Sequence, residues 1–250
     1  RQFELPPGWN NKRVFLHFGA VDYDCKAWVN GEEVGRHYGG SVSFNFEITN
    51  ALKEGVNDVV VRAKDDIRSY EQPAGKQSQA YYNQGCCKYT RVTGIWQTVW
   101  LEARPESFIN RVRVIPDLDN NRFVVIPEFD NYKNGQEFRA TLTDEGKEVA
   151  QASTMTDGGT VVLSIKKPKT WSPQDPFLYD LVFELMENDK PVDKVKSYAG
   201  LRKIHLAGNK IYLNNKPIFL RFVLDQGFYP DGVWTAPSDE ALKQDIELSM

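Results

Sequence analysis

Cysteine is scarce in this chain. Its three thiols, Cys25, Cys86 and Cys87, cannot form a paired disulfide framework, and no Cys/His spacing matches a zinc site. Adjacent Cys86 and Cys87 would bridge each other only with strain, so all three are read as buried or idle thiols. That usage suits a reducing cytosol and many secreted proteins alike, which leaves the compartment open. Charge of one sign is lacking too: 31 basic against 34 acidic residues leave a net −3 at pH 7. No basic field exists to hold a nucleic-acid backbone, so nucleic acid is excluded as a partner. No apolar run approaches the roughly 20 residues of a spanning helix, so helical membrane insertion is not expected. Glycine (18) and proline (13) stay near ordinary usage, which excludes collagen-like and low-complexity chains. The start, Arg1-Gln2-Phe3-Glu4, has neither an initiator Met nor an apolar signal core. The expectation is that a leader has been removed or that the first residues of a longer protein are missing.

What is present is a period of two. Val42, Phe44, Phe46 and Ile48 alternate with Ser43, Asn45 and Glu47, and Phe177, Tyr179, Leu181, Phe183 and Leu185 make a second apolar face. Further strand-like runs lie at 13–18, 58–63, 97–103, 111–115, 122–126, 138–142 and 160–165. Asn30-Gly31 and Asn134-Gly135 are read as two-residue type I′ hairpins, because both central positions of that turn need a positive φ. Trp28 and Trp100 fall inside strand-like runs and are expected in the core, whereas Trp96 and Trp234 sit near loops and suit core or ligand contact equally. Short strands at about ten-residue spacing predict an all-β chain of two sandwiches, over 1–105 and 106–200. Residues 65–93 carry no period but hold Tyr70, Tyr81, Tyr82 and Tyr89. A connection this long and this aromatic is expected to face a ligand or an interface.

The pattern changes after Gly200. Residues 217–223 include an unbroken apolar run, Ile218-Phe219-Leu220, which predicts a strand covered on both faces. Ser238-Asp239-Glu240 reads as a helix N-cap with two acids in the first turn, and Leu242, Ile246 and Met250 mark one face of the helix that follows. A strand and a helix without successors predict a truncated C-terminus.

Three stretches, in order, resemble one family. Residues 14–49 (VFLHFGAVDYDCKAWVNGEEVGRHYGGSVSFNFEIT) with 93–102 (TGIWQTVWLE) are similar to the sugar-binding jelly roll of glycoside hydrolase family 2. Residues 171–185 (WSPQDPFLYDLVFEL) resemble the close of that family's immunoglobulin-like domain, and 200–232 its entry into a catalytic (β/α)₈ barrel. QPAGKQ (72–77) and LDQGFYPDG (224–232) look closest to the β-galactosidase/β-glucuronidase branch. The resemblance implies a jelly-roll β-sandwich, then an immunoglobulin-like β-sandwich, then the first strand and helix of a truncated TIM barrel over 201–250. It further implies the non-catalytic front of a retaining exo-β-glycosidase acting on terminal β-linked sugars, with a carbohydrate substrate and no cofactor or metal. A stand-alone carbohydrate-binding or adhesive tandem sandwich is the alternative.

A retaining glycosidase needs two carboxylates about 5–5.5 Å apart. The resemblance implies two Glu residues on later barrel strands, the acid/base one following an Asn, and no Asn-Glu dipeptide occurs here. The catalytic pair is therefore expected to be absent from these 250 residues. Active sites of such barrels assemble at the C-terminal strand ends, which nominates Arg221, Asp225 and Gln226, with Trp234 beyond, as substrate-binding residues. An ion pair or turn cap is the competing role for Arg221 and Asp225. Two departures stand out: Phe222 follows Arg221 where the family usually has Gly, and Lys88 stands six residues before Gly94, where the best-known β-galactosidases carry a sugar-contacting Asp. Strands preceding Arg1 in the family would leave an exposed sheet edge here, which makes a homo-oligomer an expectation. The three histidines, and the acidic pairs Asp22/Asp24 and Asp117/Asp119, are read as structural or solvated groups.

Overall fold

A computed structural model describes residues 1–69, 71–80, 85, 87–224 and 227–250. The fold is all-β, with one α-helix among the described residues, and the chain divides into two compact units: Arg1–Ala103 with Phe222–Met250, and Arg104–Arg221.

In the first unit the strands are β1 (Gln2–Phe3), β2 (Arg13–Phe18), β3 (Val21–Asp22), β4 (Asp24–Val29), β5 (Glu32–Tyr38), β6 (Phe44–Glu47), β7 (Asn57–Lys64), β8 (Gly94–Ile95) and β9 (Val99–Arg104). They form sheets ordered β1-β7-β4-β5 and β6-β2-β9, plus the short pair β3-β8. Alternation turns Cys25, Ala27 and Val29 of β4 and Val59, Val61 and Ala63 of β7 toward Val14, Leu16 and Phe18 of β2 and Phe44 and Phe46 of β6, and these side chains form one core. Gly35 is required inside β5 because a Cβ there would collide with the Phe46 ring. Asn30 and Gly31 have φ of 51° and 87° and join β4 to β5 as the expected type I′ hairpin, with Val29 opposite Glu32. Asn57 is fully buried and fully bonded: its Nδ2 donates to the carbonyls of Lys53 and Gly55 (3.1 and 2.9 Å), and its Oδ1 accepts from Lys53 N and Asn30 Nδ2 (2.9 and 2.8 Å). Cys25 lies in this core, and burial, with Asp24 adding to it, pushes its thiol up to about 11, which makes it inert. Cys86 lies outside the described residues.

The second unit contains β10 (Phe108–Asp117), β11 (Arg122–Asp130), β12 (Glu137–Asp144), β13 (Lys147–Met155), β14 (Val161–Ser164), β15 (Tyr179–Glu187), β16 (Lys190–Ala199), β17 (Ile204–Ala207), β18 (Lys210–Leu213) and β19 (Lys216–Ile218). Sheets β10-β11-β14 and β13-β12-β15-β16 share one core, in which Phe123, Phe138, Leu142, Leu163, Tyr179, Leu181, Phe183 and Leu185 are buried. The buried Tyr179 hydroxyl accepts from the backbone N–H of Lys169 at 2.7 Å, so its polar end is satisfied. Strands β17, β18 and β19 form a separate antiparallel sheet turned by Asn214-Asn215, both at positive φ.

Several expectations need correction. Asn134-Gly135 is not a type I′ hairpin: only Gly135 has a positive φ, and the connection carries the chain from β11 to β12, which belong to different sheets. Trp100 is not core. Leu101 takes the inward position on β9, so alternation turns Trp100 outward, where it is 43% exposed and stacks on His17 at 4.9 Å between ring centroids. Trp28 likewise lies on the outer side of β4, half-buried between inward Ala27 and Val29. The apolar run at 217–223 is strand only at its start, and Phe219, Phe222 and Val223 are exposed. Residues 219–224 have no ladder partner among the described residues, and a strand without one leaves its backbone groups to water. The helix is where its cap predicts: α1 spans Asp239–Ser249, and Ser238 Oγ accepts from Ala241 N at 3.2 Å.

Candidate functional site

The first unit holds a cleft of about 660 Å³ lined by Asp22, Gly40, Gln77, Tyr89, Trp96 and Trp234, among others. Each wall comes from a different piece of chain. Strand β3 supplies Asp22, paired with Gly94 of β8, and the turn after β5 supplies Gly40. The connection at 65–93 supplies Gln77 and Tyr89, and the segment before α1 supplies Trp234.

Aromatic edges and faces shape the opening. Trp96 Nε1 donates to the Gly40 carbonyl at 2.7 Å, which fixes the indole plane. Trp234 meets Trp96 edge-on with centroids 5.2 Å apart and Tyr89 edge-on at 6.0 Å. Thr235 Oγ1 donates to the Trp96 carbonyl at 2.8 Å, so the 229–235 turn and the β8–β9 connection are held together. Trp96 and Trp234 are half-buried, each anchored while presenting ring surface to the cleft.

The polar floor is Asp22. It is 2% exposed, and its Oδ2 accepts from Gln77 Nε2 at 2.9 Å. The carboxyl is pushed up to about 6, first by burial and then by the neighbouring charge of Asp65, with the Gln77 bond opposing both. Asp65 is also raised, chiefly by burial, against hydrogen bonds from Gln72 and Thr93. Asp24, two residues on, is a different group. Arg36 grips it with Nε and Nη2 at 2.8 Å each and holds its carboxyl below the usual range. Asp22 and Asp24 therefore serve separate partners. Asp117 is likewise engaged by Asn120 and Arg122, and Asp119 by Lys203 and Asn215.

The long connection, where described, is ordered by its own bonds. Ser78 N donates to the Tyr89 carbonyl (2.8 Å), Tyr89 N to the Lys76 carbonyl (3.1 Å), and Arg68 Nε to the Gln79 carbonyl (3.0 Å). Ile67, Gln77 and Ser78 are buried. Tyr70, Tyr81 and Tyr82 lie outside the described residues.

Of the nominated substrate-binding residues, Trp234 lines the cleft, and Arg221 is exposed at the end of the second unit. Asp225 and Gln226 lie outside the described residues. Lys88 is exposed beside Tyr89. Sequence reasoning missed Asp22 and Gln77 as cleft residues: Asp22 read as half of an acidic pair and Gln77 as part of a short motif. Burial is the property that sets them apart, and a strand of two residues gives no periodicity from which burial could be read.

Two family models match in tandem. Residues 1–105 match the sugar binding domain of glycosyl hydrolases family 2, and residues 107–202 match a second model of glycosyl hydrolases family 2. Among curated proteins, the chain is 28% identical over 248 residues to a putative β-glucuronidase of Formosa agariphila, covering 96% of this chain and 29% of that protein. It is 26% identical over 280 residues to a β-galactosidase of Thermoanaerobacter pseudethanolicus, covering 100% of this chain and 35% of that protein. A solved β-glucuronidase of Ruminococcus gnavus in complex with D-glucuronic acid superposes with a TM-score of 0.83 at 24% identity, over 99% of this chain and 43% of the other. The chain thus spans about a third of the length of the curated relatives it matches. With both modules matched in order over most of its length, the chain belongs to glycosyl hydrolases family 2.

Proposed function

We propose that this chain is the non-catalytic N-terminal part of a retaining exo-β-glycosidase of the β-galactosidase or β-glucuronidase kind, which removes terminal β-linked sugars from oligo- or polysaccharides. The observation that carries the reading is the cleft walled by Tyr89 and Trp96, from the module similar to sugar-binding domains, and by Trp234 from the segment before α1. Aromatic faces pack against the C–H faces of a sugar ring, and buried amides and acids at the rim set its orientation. In this reading residues 1–105 are a jelly-roll sandwich and 106–200 an immunoglobulin-like one. The sheet orders β10-β11-β14 and β13-β12-β15-β16 support the latter. Residues 201–250 then open a (β/α)₈ barrel whose later strands hold the two glutamates.

Division of labour follows from the chemistry. Nucleophile and acid/base must flank the scissile bond at about 5–5.5 Å, a task for two carboxylates on neighbouring barrel strands. This chain supplies walls. Arg221, Asp225, Gln226 and Trp234 are the residues we assign to the bound sugar, Arg221 and Asp225 through charge-assisted hydrogen bonds, Gln226 as donor and acceptor, and Trp234 as an apolar face. The 250-residue chain alone leaves nitrophenyl β-galactoside and β-glucuronide intact; turnover that survives repurification would refute this. In the full-length protein, Asp225→Ala and Trp234→Ala each lower kcat/KM per folded molecule by about tenfold or more. Unchanged activity with a lower melting temperature would make them structural instead.

A further inference from the structure

Asp22 costs stability where it stands. A carboxylate at 2% exposure, with a second carboxylate acting on it, is an unfavourable group to bury. Its surroundings show what it holds in place. Its Oδ2 receives Gln77 Nε2 (2.9 Å), and the other end of the same amide, Gln77 Oε1, receives the backbone N–H of Val92 (2.7 Å). One buried glutamine thus ties β3 to both passes of the 65–93 connection, since Gln77 itself bridges to Tyr89. On its other side, Asp22 Oδ1 lies under Gly40, where any Cβ would collide with it. The Gly40 carbonyl is the acceptor that orients Trp96. The turn, both passes of the connection and the Trp96 indole therefore converge on a single carboxyl group.

We propose that Asp22 is the positioning residue of the cleft: through Gln77 and the close passage of Gly40 it sets where Tyr89, Trp96 and, through them, Trp234 stand. The functional consequence rests on reading the cleft as the sugar-facing site; the clamp itself does not. Removing the acceptor strands a buried amide donor on Gln77, which favours local opening of the connection so that water can reach it. Opening also hydrates Asp22, and hydration favours its ionised form. The clamp is then tighter below about pH 6, where the group is protonated, and looser above. Asp65 is the charged group acting on Asp22. The turn (Gly39, Gly40, Ser41), β8 (Gly94, Ile95) and Gln77 bring no titrating side chain, and His37, before that turn, has its proton affinity lowered by burial.

Hydrogen exchange of the whole 250-residue chain, followed by mass spectrometry without any sugar, tests the clamp. Peptides covering Ser78, Tyr89 and Val92 are compared with peptides of β4 and β7, after correction for intrinsic rates. Asp22→Ala and Gln77→Leu each lower protection of the first set by about tenfold or more while leaving the second set unchanged. Asp22→Asn keeps an acceptor and keeps the protection. The parent protein loses roughly tenfold protection of the first set between about pH 5 and 7.5, and Asp22→Asn flattens that pH dependence, leaving only the part that belongs to Asp65. Loss spread equally over both sets, or the same pH profile in the parent and Asp22→Asn, overturns the proposal. Because no sugar is present, neither result depends on the glycosidase reading.

Discussion

Replacing Asp22 by Asn should stabilise the protein, and the gain should depend on pH. The carboxyl titrates at about 6 in the fold against an ordinary value of 3.8. A folded-state value above the unfolded one means that the folded chain binds the extra proton, so stability falls as pH rises through the window and stays low above it. The displacement of about two units corresponds to about 3 kcal/mol when the group is fully ionised. The steepest part is accessible: with those two values, the contribution falls by about 1.4 kcal/mol between about pH 5 and pH 7.5. An Asn of the same shape offers Gln77 Nε2 its amide oxygen, removes the repulsion from Asp65 and carries no charge to desolvate. Urea unfolding of parent and variant at the two pH values, followed by a probe of the first unit, isolates the titration of Asp22 and its coupling to Asp65, because groups that do not interact with Asp22 cancel in the difference. The variant should exceed the parent by about 2–3 kcal/mol at pH 7.5, with the margin smaller by about 1.4 kcal/mol at pH 5. A pH-independent margin, or a loss at both values, would mean that the carboxylate is not a buried, costly charge.

Two further outcomes follow from the cores. Phe138→Ala removes a fully buried ring that stacks on Phe183 (5.8 Å) and meets Phe129 edge-on (5.6 Å), so the second unit should lose about 3–5 kcal/mol in chemical denaturation; a loss below about 1 kcal/mol would show that the site collapses around the gap. Asn57→Ala strands the Lys53 N–H and the Asn30 amide in the first unit, for a loss of about 2–3 kcal/mol, and Asn57→Asp should not restore it because the acid cannot donate to the Lys53 and Gly55 carbonyls.

The strands most legible in the sequence are those with one face in a core. Tyr179, Leu181, Phe183 and Leu185 announce β15, and Phe138, Ala140 and Leu142 announce β12, because burial on one side leaves a period of two in the residues themselves. Among the strands longer than four residues, those that carry no apolar period of their own are β5, β13 and β16. Each lies at the edge of its sheet, paired on one side only, and lysine, glutamate and serine occupy positions that an inner strand would fill with apolar groups. Edges are kept polar to discourage further pairing, so the property that protects a sheet also hides its border from a reading of periodicity. The Asn134-Gly135 turn misled for a related reason. Asn-Gly reports a local preference for positive φ, which Gly135 satisfies, but whether the flanking strands pair is decided by which core each one faces.

The cleft was legible only in part, and the boundary is physical. Aromatic residues in an aperiodic connection marked 65–93 as a ligand-facing candidate, and Tyr89 does reach the cleft, as does Trp234. What no pattern could show was the convergence of Asp22, Gly40, Gln77 and Val92, which stand up to 70 positions apart in the numbering and meet through one carboxyl and one amide. Local propensity carries no information about such contacts, since Asp beside Tyr and Gln after Gly-Lys are ordinary surface sequences. Their cost does carry information. A buried acid held at 2% exposure could be replaced by a neutral isostere with a gain in stability, and a group kept against that gradient is better explained by the arrangement it imposes on its neighbours than by the energy it contributes. The two glycines follow the same logic at lower cost: Gly35 yields space to Phe46 for the core, and Gly40 yields space to Asp22 for the cleft. The former is a packing constraint, and the latter places a backbone carbonyl where Trp96 can read it.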